Sequence, residues 1–464
     1  MHDVAVLGGG IAGLTAAWQL KQLGLDVALL ESAPQAGGNI RTFEHEGFRL
    51  ETGPYSFLGT YEYMWRLVDE LGIIDRVEPS SAAADNRYIY RDGRLLPLPL
   101  SPGAFIATRL LSLGGKLRLM AEPFVRGGAK PDDTAWEFFV RRFGLEAATY
   151  IMGPFVSGIY AGDARLLGAR AAFPKFHGFE AESGSMIRGA FKYMLAKRRN
   201  RGGMKKHRMK GSLFSFYGGL GAITSELAAR LNGRITTGVR VESVAYQEGA
   251  YTISSPGGQW RTRAVVSAVP PPVAAAILGG MVPGMAASLQ AIPMSPVTLA
   301  HWSQPDEQHV APAGFGFLMP RLYPLRVLGT VFASQLFSSR APAGQALFSS
   351  FYGGMTDPDV MRLSDNDMRA LLLREHEEVF KTALRPPQML KILRYPGAIP
   401  QLLPDHPERM AAIREQLGLF PGLFLAGNYL TGVGVEHAVA SGYLAAHEVA
   451  SFLGLSRQVT AEAA

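Results

Sequence analysis

Three glycines in the arrangement Gly8-x-Gly10-x-x-Gly13, followed 18 residues later by the carboxylate of Glu31, point most directly to chemistry in this chain. The first glycine permits a tight turn, the second lets backbone approach a pyrophosphate, and the third lets a helix pack closely on a strand. Gly9, Ile11 and Ala12 complete the turn, and backbone amides at the helix start then face a diphosphate. Glu31 is placed to accept hydrogen bonds from both adenosine ribose hydroxyls. The chemistry is dinucleotide binding.

The elements that must position these residues form a βαβ opening: an apolar strand Val4 to Leu7, a helix from Leu14 to Leu23, and a strand Val27 to Glu31. A second glycine pair, Gly37-Gly38-Asn39-Ile40-Arg41-Thr42, brings more backbone and Arg41 towards the diphosphate. Far downstream, Gly427 to Val435 is a glycine-rich turn before a helix, and it resembles the flavin-contacting end of two-domain FAD oxidases. The positive end of that helix would stabilise negative charge at the flavin N1/O2 edge. The two glycine segments at opposite ends of the chain favour FAD over NAD. The chain contains no cysteine, so the flavin is expected to be noncovalent; disulfides, thiolate metal sites and cysteine nucleophiles are excluded. No H-E-x-x-H, G-x-S-x-G or P-loop motif occurs.

The 464 residues, 47% hydrophobic and 18% charged, suit two or three folded domains. The N-terminus leaves no room for a signal peptide, which predicts a cytoplasmic protein. Between about Glu62 and Lys210 the pattern is mostly helical, with amphipathic stretches at 64–71, 104–124 and 135–155. Residues 234–270 and 314–356 read as strands, 359–384 as a helix, and Val435 to Leu453 as the last helix. Ala264 to Pro305 carries no charge, but its prolines and glycine pair break it too often for a spanning helix, so it reads as a buried α/β segment. The net charge of +7 is local. Ten of the 46 Lys and Arg lie between Met186 and Lys210 without one Asp or Glu, and the rest is close to neutral, 36 basic against 39 acidic. That segment is expected to be a solvated surface loop or helix end, or a site of attraction to anionic lipid.

The chain resembles the protoporphyrinogen oxidases, oxygen-dependent flavoenzymes of haem biosynthesis within the amine oxidase and phytoene desaturase superfamily. The resemblance rests on Gly8 to Gly13, Gly53-Pro54-Tyr55-Ser56-Phe57-Leu58, Asn86-Arg87-Tyr88, Gly158-Ile159-Tyr160-Ala161-Gly162-Asp163, Phe173-Pro174, Gly314-Phe315-Gly316-Phe317-Leu318, Leu328-Gly329-Thr330, Ile399-Pro400-Gln401 and Gly432-Val433-Gly434-Val435. It implies that Gly8 to Gly13, Glu31, Ser32, Asn39, Gly53, Pro54, Tyr55, Ser56, Val241 on the adenine side, and Val433, Gly434 and Val435 bind FAD. It implies that Arg87 pairs with a substrate propionate and that Phe315, Gly316, Leu318, Leu336 and Phe351 sandwich a tetrapyrrole, with Gly158 close to the macrocycle. Three departures stand out: Tyr55 where Asn or Arg is common, Leu402 in place of an aromatic, and Glu436-His437 in place of Asn-Asp.

The implied fold is a two-domain α/β FAD oxidase: a Rossmann-like FAD-binding domain from residues 1–80, 211–265 and 421–464, a helical membrane-associating region at 86–210, and a mixed-sheet substrate-binding domain at 266–420. The implied reaction oxidises protoporphyrinogen IX to protoporphyrin IX in three two-electron steps, with dioxygen as acceptor giving hydrogen peroxide. No general base is assigned and no metal is expected. Coproporphyrinogen III is the alternative substrate; a carotenoid desaturase, an amine oxidase and a catalytically idle flavoprotein that docks other haem enzymes are more distant readings. An anionic membrane surface, handover to a ferrochelatase and a homodimer are the implied partners; nucleic acid is not.

Overall fold

In the computed structural model, which describes residues 1–199 and 213–455, two seven-stranded sheets organise the chain. The first runs in the order Ile235–Thr236, Val27–Leu30, His2–Leu7, Gly258–Ser267, Ala250–Ser255 and Ser243–Gln247, with Leu423–Leu425 added beside Gly258–Ser267. Its core pairings are parallel, and its strands are continuous apolar runs because helices cover both faces. The fingerprint helix Ile11–Gln22 and the C-terminal helix Val435–Phe452 share one face and one apolar cluster, with Leu14, Leu20, Val439 and Val449 fully or almost fully buried. Because His2–Leu7 and Leu423–Leu425 both run parallel to Gly258–Ser267, the helices that follow them start at the same edge of the sheet.

The second sheet runs Gln388–Pro400, Met294–Pro305, Gln345–Gly353, Val327–Val331, Gly316–Leu318, Arg87–Arg91 and Arg94–Pro97. Side chains alternate between its faces. Phe317, Trp302 and Phe348 point to the back, under Met368, Leu371 and Leu372 of the helix Asp365–Phe380. The front is turned towards Tyr55 and Gly158.

Several sequence expectations are corrected here. The hairpin Arg87–Pro97, expected at the start of the helical region, is instead the edge of the second sheet, its first strand paired in parallel with Gly316–Leu318. Helices Pro271–Leu278, Pro283–Gln290 and His406–Leu417, read as part of the substrate domain, instead bury Ile277, Met285 and Ile413 against Ala5, Leu7 and Val265 of the first sheet. The stretch 104–124 is not one helix. It divides into Pro102–Ala107, Leu113–Met120 and a short turn at Glu122–Phe124, because Ser112 caps a new start through the Gly115 amide. The 359–384 helix is shorter, Asp365–Phe380, capped by Ser364.

The helical region is held by buried charge. Arg142 pairs with Glu122 and Glu180, all almost fully buried, and Glu122 also accepts from Ser185 Oγ at 2.6 Å and the Met186 amide at 2.8 Å, the start of helix Met186–Arg199. Of the basic segment, Arg188 and Lys192 lie on that helix; Arg201 to Lys210 lie outside the described residues. Among the described residues no helix is long and apolar enough to cross a membrane, and no group of metal-binding side chains occurs.

Candidate active site

The glycine turn is built for close backbone approach. Gly8 adopts φ +101°, where a side chain would be strained and would meet the Ala268 carbonyl oxygen at 2.9 Å. A Cβ on Gly13 would lie 2.0 Å from the Gly8 carbonyl oxygen, so only glycine lets the helix sit this close to the strand. Gly10 is the N-cap of that helix, with no side-chain cap, and a Cβ there would meet nothing within 4 Å. Open space in front of unpaired helix amides is what a diphosphate requires.

Glu31, 9% exposed, is locked beside this turn: its carboxylate accepts from the Gly9 amide at 2.6 Å, the Ala33 amide at 2.7 Å and Ser32 Oγ at 3.3 Å. Lone pairs remain for ribose hydroxyls. Val241 follows Val239, whose amide donates to the Glu31 carbonyl, so it lies at the same end of the cradle. The second glycine pair closes over the first: the Gly37 amide donates to Gly9 at 2.7 Å, and a Cβ on Gly38 would meet Gly10 Cα at 3.0 Å. Asn39 is exposed, and its carbonyl accepts from Thr52 Oγ1, pinning this loop to Gly53. The Arg41 guanidinium lies over Phe43, 5.7 Å from the ring centre.

The C-terminal loop reaches the same edge. The Gly427 amide is held by Ser441 Oγ, Gly434 is the uncapped N-cap of the last helix, Val433 is partly buried against the helical region, and Val435 enters the core. Glu436 turns back to accept from the Leu58 amide, which ties this loop to Gly53-Pro54-Tyr55-Ser56; burial pushes its pKa up. His437 packs edge-on against Tyr61.

Register across the second sheet assembles the expected substrate wall. One front-face row runs Arg87, Gly316, Val331, Ser349, His301, Lys391; the next runs Leu318, Gly329, Phe351, Leu299, Leu393. Leu318 and Phe351 are therefore two strand spacings apart, about 10 Å. The Arg87 guanidinium lies 5.1 Å from the centre of the Phe315 ring, and Phe315 packs on the cluster containing Leu336. Gly316 takes φ +146°, and a Cβ on Gly158 would come 2.6 Å from Leu318 Cδ2, so α-helical backbone closes directly on the wall there. Phe351 stands between the clusters of Tyr55 and of Ala161. Arg87, Phe315, Gly316 and Leu336 thus sit at one end, Gly158 and Leu318 beside them, and Phe351 further along the same face.

Tyr55, which the resemblance implies binds FAD, has its side chain committed to the second sheet. Its ring is buried against the second sheet and its hydroxyl bonds to Ser349, with His301 next to both. The departure at position 55 was the only sequence signal for this arrangement; neither His301 nor Ser349 stands in a motif.

A glycine cradle with a buried carboxylate locked beside it, a second loop closing over it and an uncapped helix arriving at the same edge are the parts of a dinucleotide site, and the residues fit FAD. The model of the flavin containing amine oxidoreductases matches residues 11–450, and the chain belongs to that family. The enzyme is an FAD-dependent oxidoreductase. It is 31% identical over 479 residues to a chloroplastic protoporphyrinogen oxidase of Oryza sativa subsp. japonica, covering 97% of this chain and 88% of the relative. It is 26% identical to the coproporphyrinogen III oxidase of Bacillus subtilis (strain 168), covering 97% and 98%. Its fold matches a solved structure from Exiguobacterium sp. 255-15, assigned provisionally as a protoporphyrinogen oxidase, with TM-score 0.82, 22% identity and coverage of 98% and 99%. Cyclohexylamine oxidase from Brevibacterium oxydans IH-35A shares the fold more loosely, at TM-score 0.70 and 17% identity over 98% and 99%.

Proposed function

We propose that this enzyme oxidises a porphyrinogen to the porphyrin, with protoporphyrinogen IX as the preferred substrate. The carrying observation is the register that puts Arg87, Gly316, Leu318 and Phe351 on one face of the second sheet, the face on which Tyr55 docks. A porphyrinogen is a broad nonpolar macrocycle with acidic edges, and the row Leu318, Gly329, Phe351 and Leu299 offers an apolar stretch with Arg87 at one end of the neighbouring row. Bound FAD supplies a two-electron acceptor that dioxygen regenerates, so protoporphyrinogen IX and three O2 give protoporphyrin IX and three H2O2. The chain's part is to orient: Arg87 holds a propionate edge, Phe315 and Leu336 support the ring beside it, and Gly158 brings helical backbone against Leu318, closing the slot at that point. Aromatisation drives the reaction, and the wall must let the macrocycle turn between steps.

Coproporphyrinogen III is the second reading, supported by the Bacillus subtilis relative. Its four carboxylates need more positive partners than the two of protoporphyrinogen, and burying a carboxylate unpaired is costly. Purified holoenzyme offered each porphyrinogen under air, with porphyrin fluorescence followed, tests both. A higher specificity constant for coproporphyrinogen reverses the preference, and no porphyrin from either overturns the proposal.

Peripheral membrane association is part of this proposal. Ile106, Leu113 and Phe124 are 74%, 74% and 80% exposed on the helical region, and the turn carrying Phe124 holds the start of the helix with Arg188 and Lys192, which suits a surface that dips into lipid with basic residues near the headgroups.

A further inference from the structure

Tyr55, Ser349 and His301 are 5%, 0% and 0% exposed, and they join two parts of the chain that are almost 250 residues apart. The Tyr55 hydroxyl donates to Ser349 Oγ. Ser349 Oγ lies 2.8 Å from His301 Nδ1, the Tyr55 hydroxyl lies 3.3 Å from the same nitrogen, and His301 Nε2 lies 3.0 Å from the Glu51 carbonyl oxygen. A carbonyl only accepts, so Nε2 carries the imidazole proton and Nδ1 is the acceptor. That fixes the direction throughout: Tyr55 O–H to Ser349, Ser349 O–H to His301 Nδ1, His301 Nε2–H to Glu51.

The chain of bonds starts at Tyr55 and ends at Glu51, so it grips one short loop at both ends. Glu51 is itself immobilised, since its carboxylate accepts from the Leu220 amide at 2.8 Å and pairs with buried Arg340 at 3.3 Å. Burial drives the His301 pKa down to about 4 and the Tyr55 pKa well above its ordinary range, so both stay neutral at neutral pH. The hydroxyl is committed and buried, which leaves it no part in proton transfer to substrate. The gripped loop takes in Gly53, Pro54 and Tyr55 of the segment expected on the cofactor. Ser349 is two residues from Phe351 on the same strand face, and Tyr55 shares a cluster with Val331 and Phe351.

We propose that Tyr55, anchored through Ser349 and His301, is a positioning residue that sets the spacing between the cofactor loop and the substrate wall formed by Leu318 and Phe351. The proposal rests on the porphyrinogen reading for its substrate and on the geometry above for everything else. Hydride transfer is steeply sensitive to donor–acceptor placement, and a misplacement of about 1 Å costs up to ~100-fold in rate. A loop tied to the wall by one fixed set of hydrogen bonds has no such slack.

The test uses holoenzyme carrying Tyr55→Phe, Ser349→Ala or Ser349→Thr. Anaerobic rapid mixing with the preferred porphyrinogen gives the flavin reduction rate per bound FAD. Mixing reduced enzyme with dioxygen gives the reoxidation rate, and visible circular dichroism reports the surroundings of the oxidised flavin. Tyr55→Phe and Ser349→Ala should slow reduction by ~10-fold or more with KM changed less than ~3-fold, leave reoxidation unchanged and alter the flavin circular dichroism; Ser349→Thr, which keeps the hydroxyl, should stay near wild type. Wild-type reduction rates per bound FAD in both loss variants overturn the proposal, even if their melting temperatures fall. Should wild-type flavin accept no electrons from any porphyrinogen, the substrate reading fails, and an unaltered flavin circular dichroism in Tyr55→Phe would then separately overturn the positioning role.

Discussion

Gly442 of the C-terminal helix lies directly on Ala12 of the fingerprint helix: a Cβ at Gly442 would come 2.5 Å from the Ala12 carbonyl oxygen and 2.8 Å from Thr15 Cβ. The two ends of the chain therefore meet as a helix pair in which backbone touches backbone. This contact brings the Gly434 helix start and the Gly10 helix start to one edge of the first sheet.

Gly442→Val should push the two helices apart. Backbone on the far side cannot swing away as a side chain can, so a destabilisation of about 1–3 kcal/mol is expected. FAD should be lost with it, because both glycine loops expected on the cofactor lead into these helices. Melting temperature and flavin content of the purified variant measure this; a variant with full flavin and an unchanged melting temperature would contradict it.

Glu31→Ala should weaken FAD binding by ~10- to 100-fold while leaving the fold intact. The loss combines charge-assisted bonds to the ribose, about 1.5–3 kcal/mol, with the Gly9 and Ala33 amides left without their acceptor. Titrating apoprotein with FAD and following flavin fluorescence gives the constant directly. Binding at wild-type strength would place the ribose elsewhere.

Arg87→Ala should raise KM for protoporphyrinogen by ~5- to 30-fold with flavin content unchanged. The guanidinium is exposed and supported by the Phe315 ring, so its carboxylate pairing is worth about 1–2 kcal/mol, below the range for a buried pair. Steady-state kinetics decide, and an indifferent Arg87→Ala would remove the propionate anchor from the proposed site.

How much of this was legible in the sequence depends on how local each signal is. The fingerprint turn, Glu31 and the last helix were readable because each is a contiguous pattern with its own stereochemical reason. The hairpin Arg87–Pro97 was not, since its sheet partner Gly316–Leu318 is more than 200 residues away and a short strand beside a helical stretch carries little periodicity of its own. The same holds for the substrate wall. Its residues could be named from a family resemblance, but their order across the sheet follows only from register. Arg340, buried between Glu51 and Glu78, left no pattern at all, and the Tyr55–Ser349–His301 chain left only the departure at position 55, because buried polar partners are chosen by three-dimensional proximity.

The two buried imidazoles should make the protein lose stability from mildly acidic pH, partly offset by buried carboxylates such as Glu436 and Glu375 whose pKa burial raises. His301 and His376 are both fully buried, and burial lowers each pKa to about 4; His376 bonds to Thr330, Ser350 and the Leu372 carbonyl. With folded values near 4 and an unfolded value near 6.5, the unfolded chain binds more protons between those limits. Stability is therefore complete above about pH 6.5 and falls as pH drops towards 4, by up to ~1.4 kcal/mol per pH unit for each histidine. Urea midpoints at pH 7, 6 and 5 should decline in step, and His376→Gln should flatten the decline; a midpoint constant from pH 7 to 5 would show that neither imidazole is held neutral.

The exposed apolar side chains of the helical region should carry membrane binding more than its charges do. Phe124 is 80% exposed and Phe191 58%, whereas Arg188 and Lys192 each add about 1 kcal/mol of attraction near an anionic surface, and salt screens that term. Phe124→Asp with Phe191→Asp should then reduce cosedimentation with vesicles of mixed neutral and anionic lipid at every ionic strength. Arg188→Gln with Lys192→Gln should reduce it at low salt only, flattening its salt dependence. The two pairs separate insertion from electrostatic attraction, because apolar burial in lipid is insensitive to salt at these concentrations. If both pairs behave alike and binding vanishes at high salt in the wild type, the helical face touches headgroups without entering the acyl region; if wild-type protein does not cosediment at all, this surface does not dock on lipid.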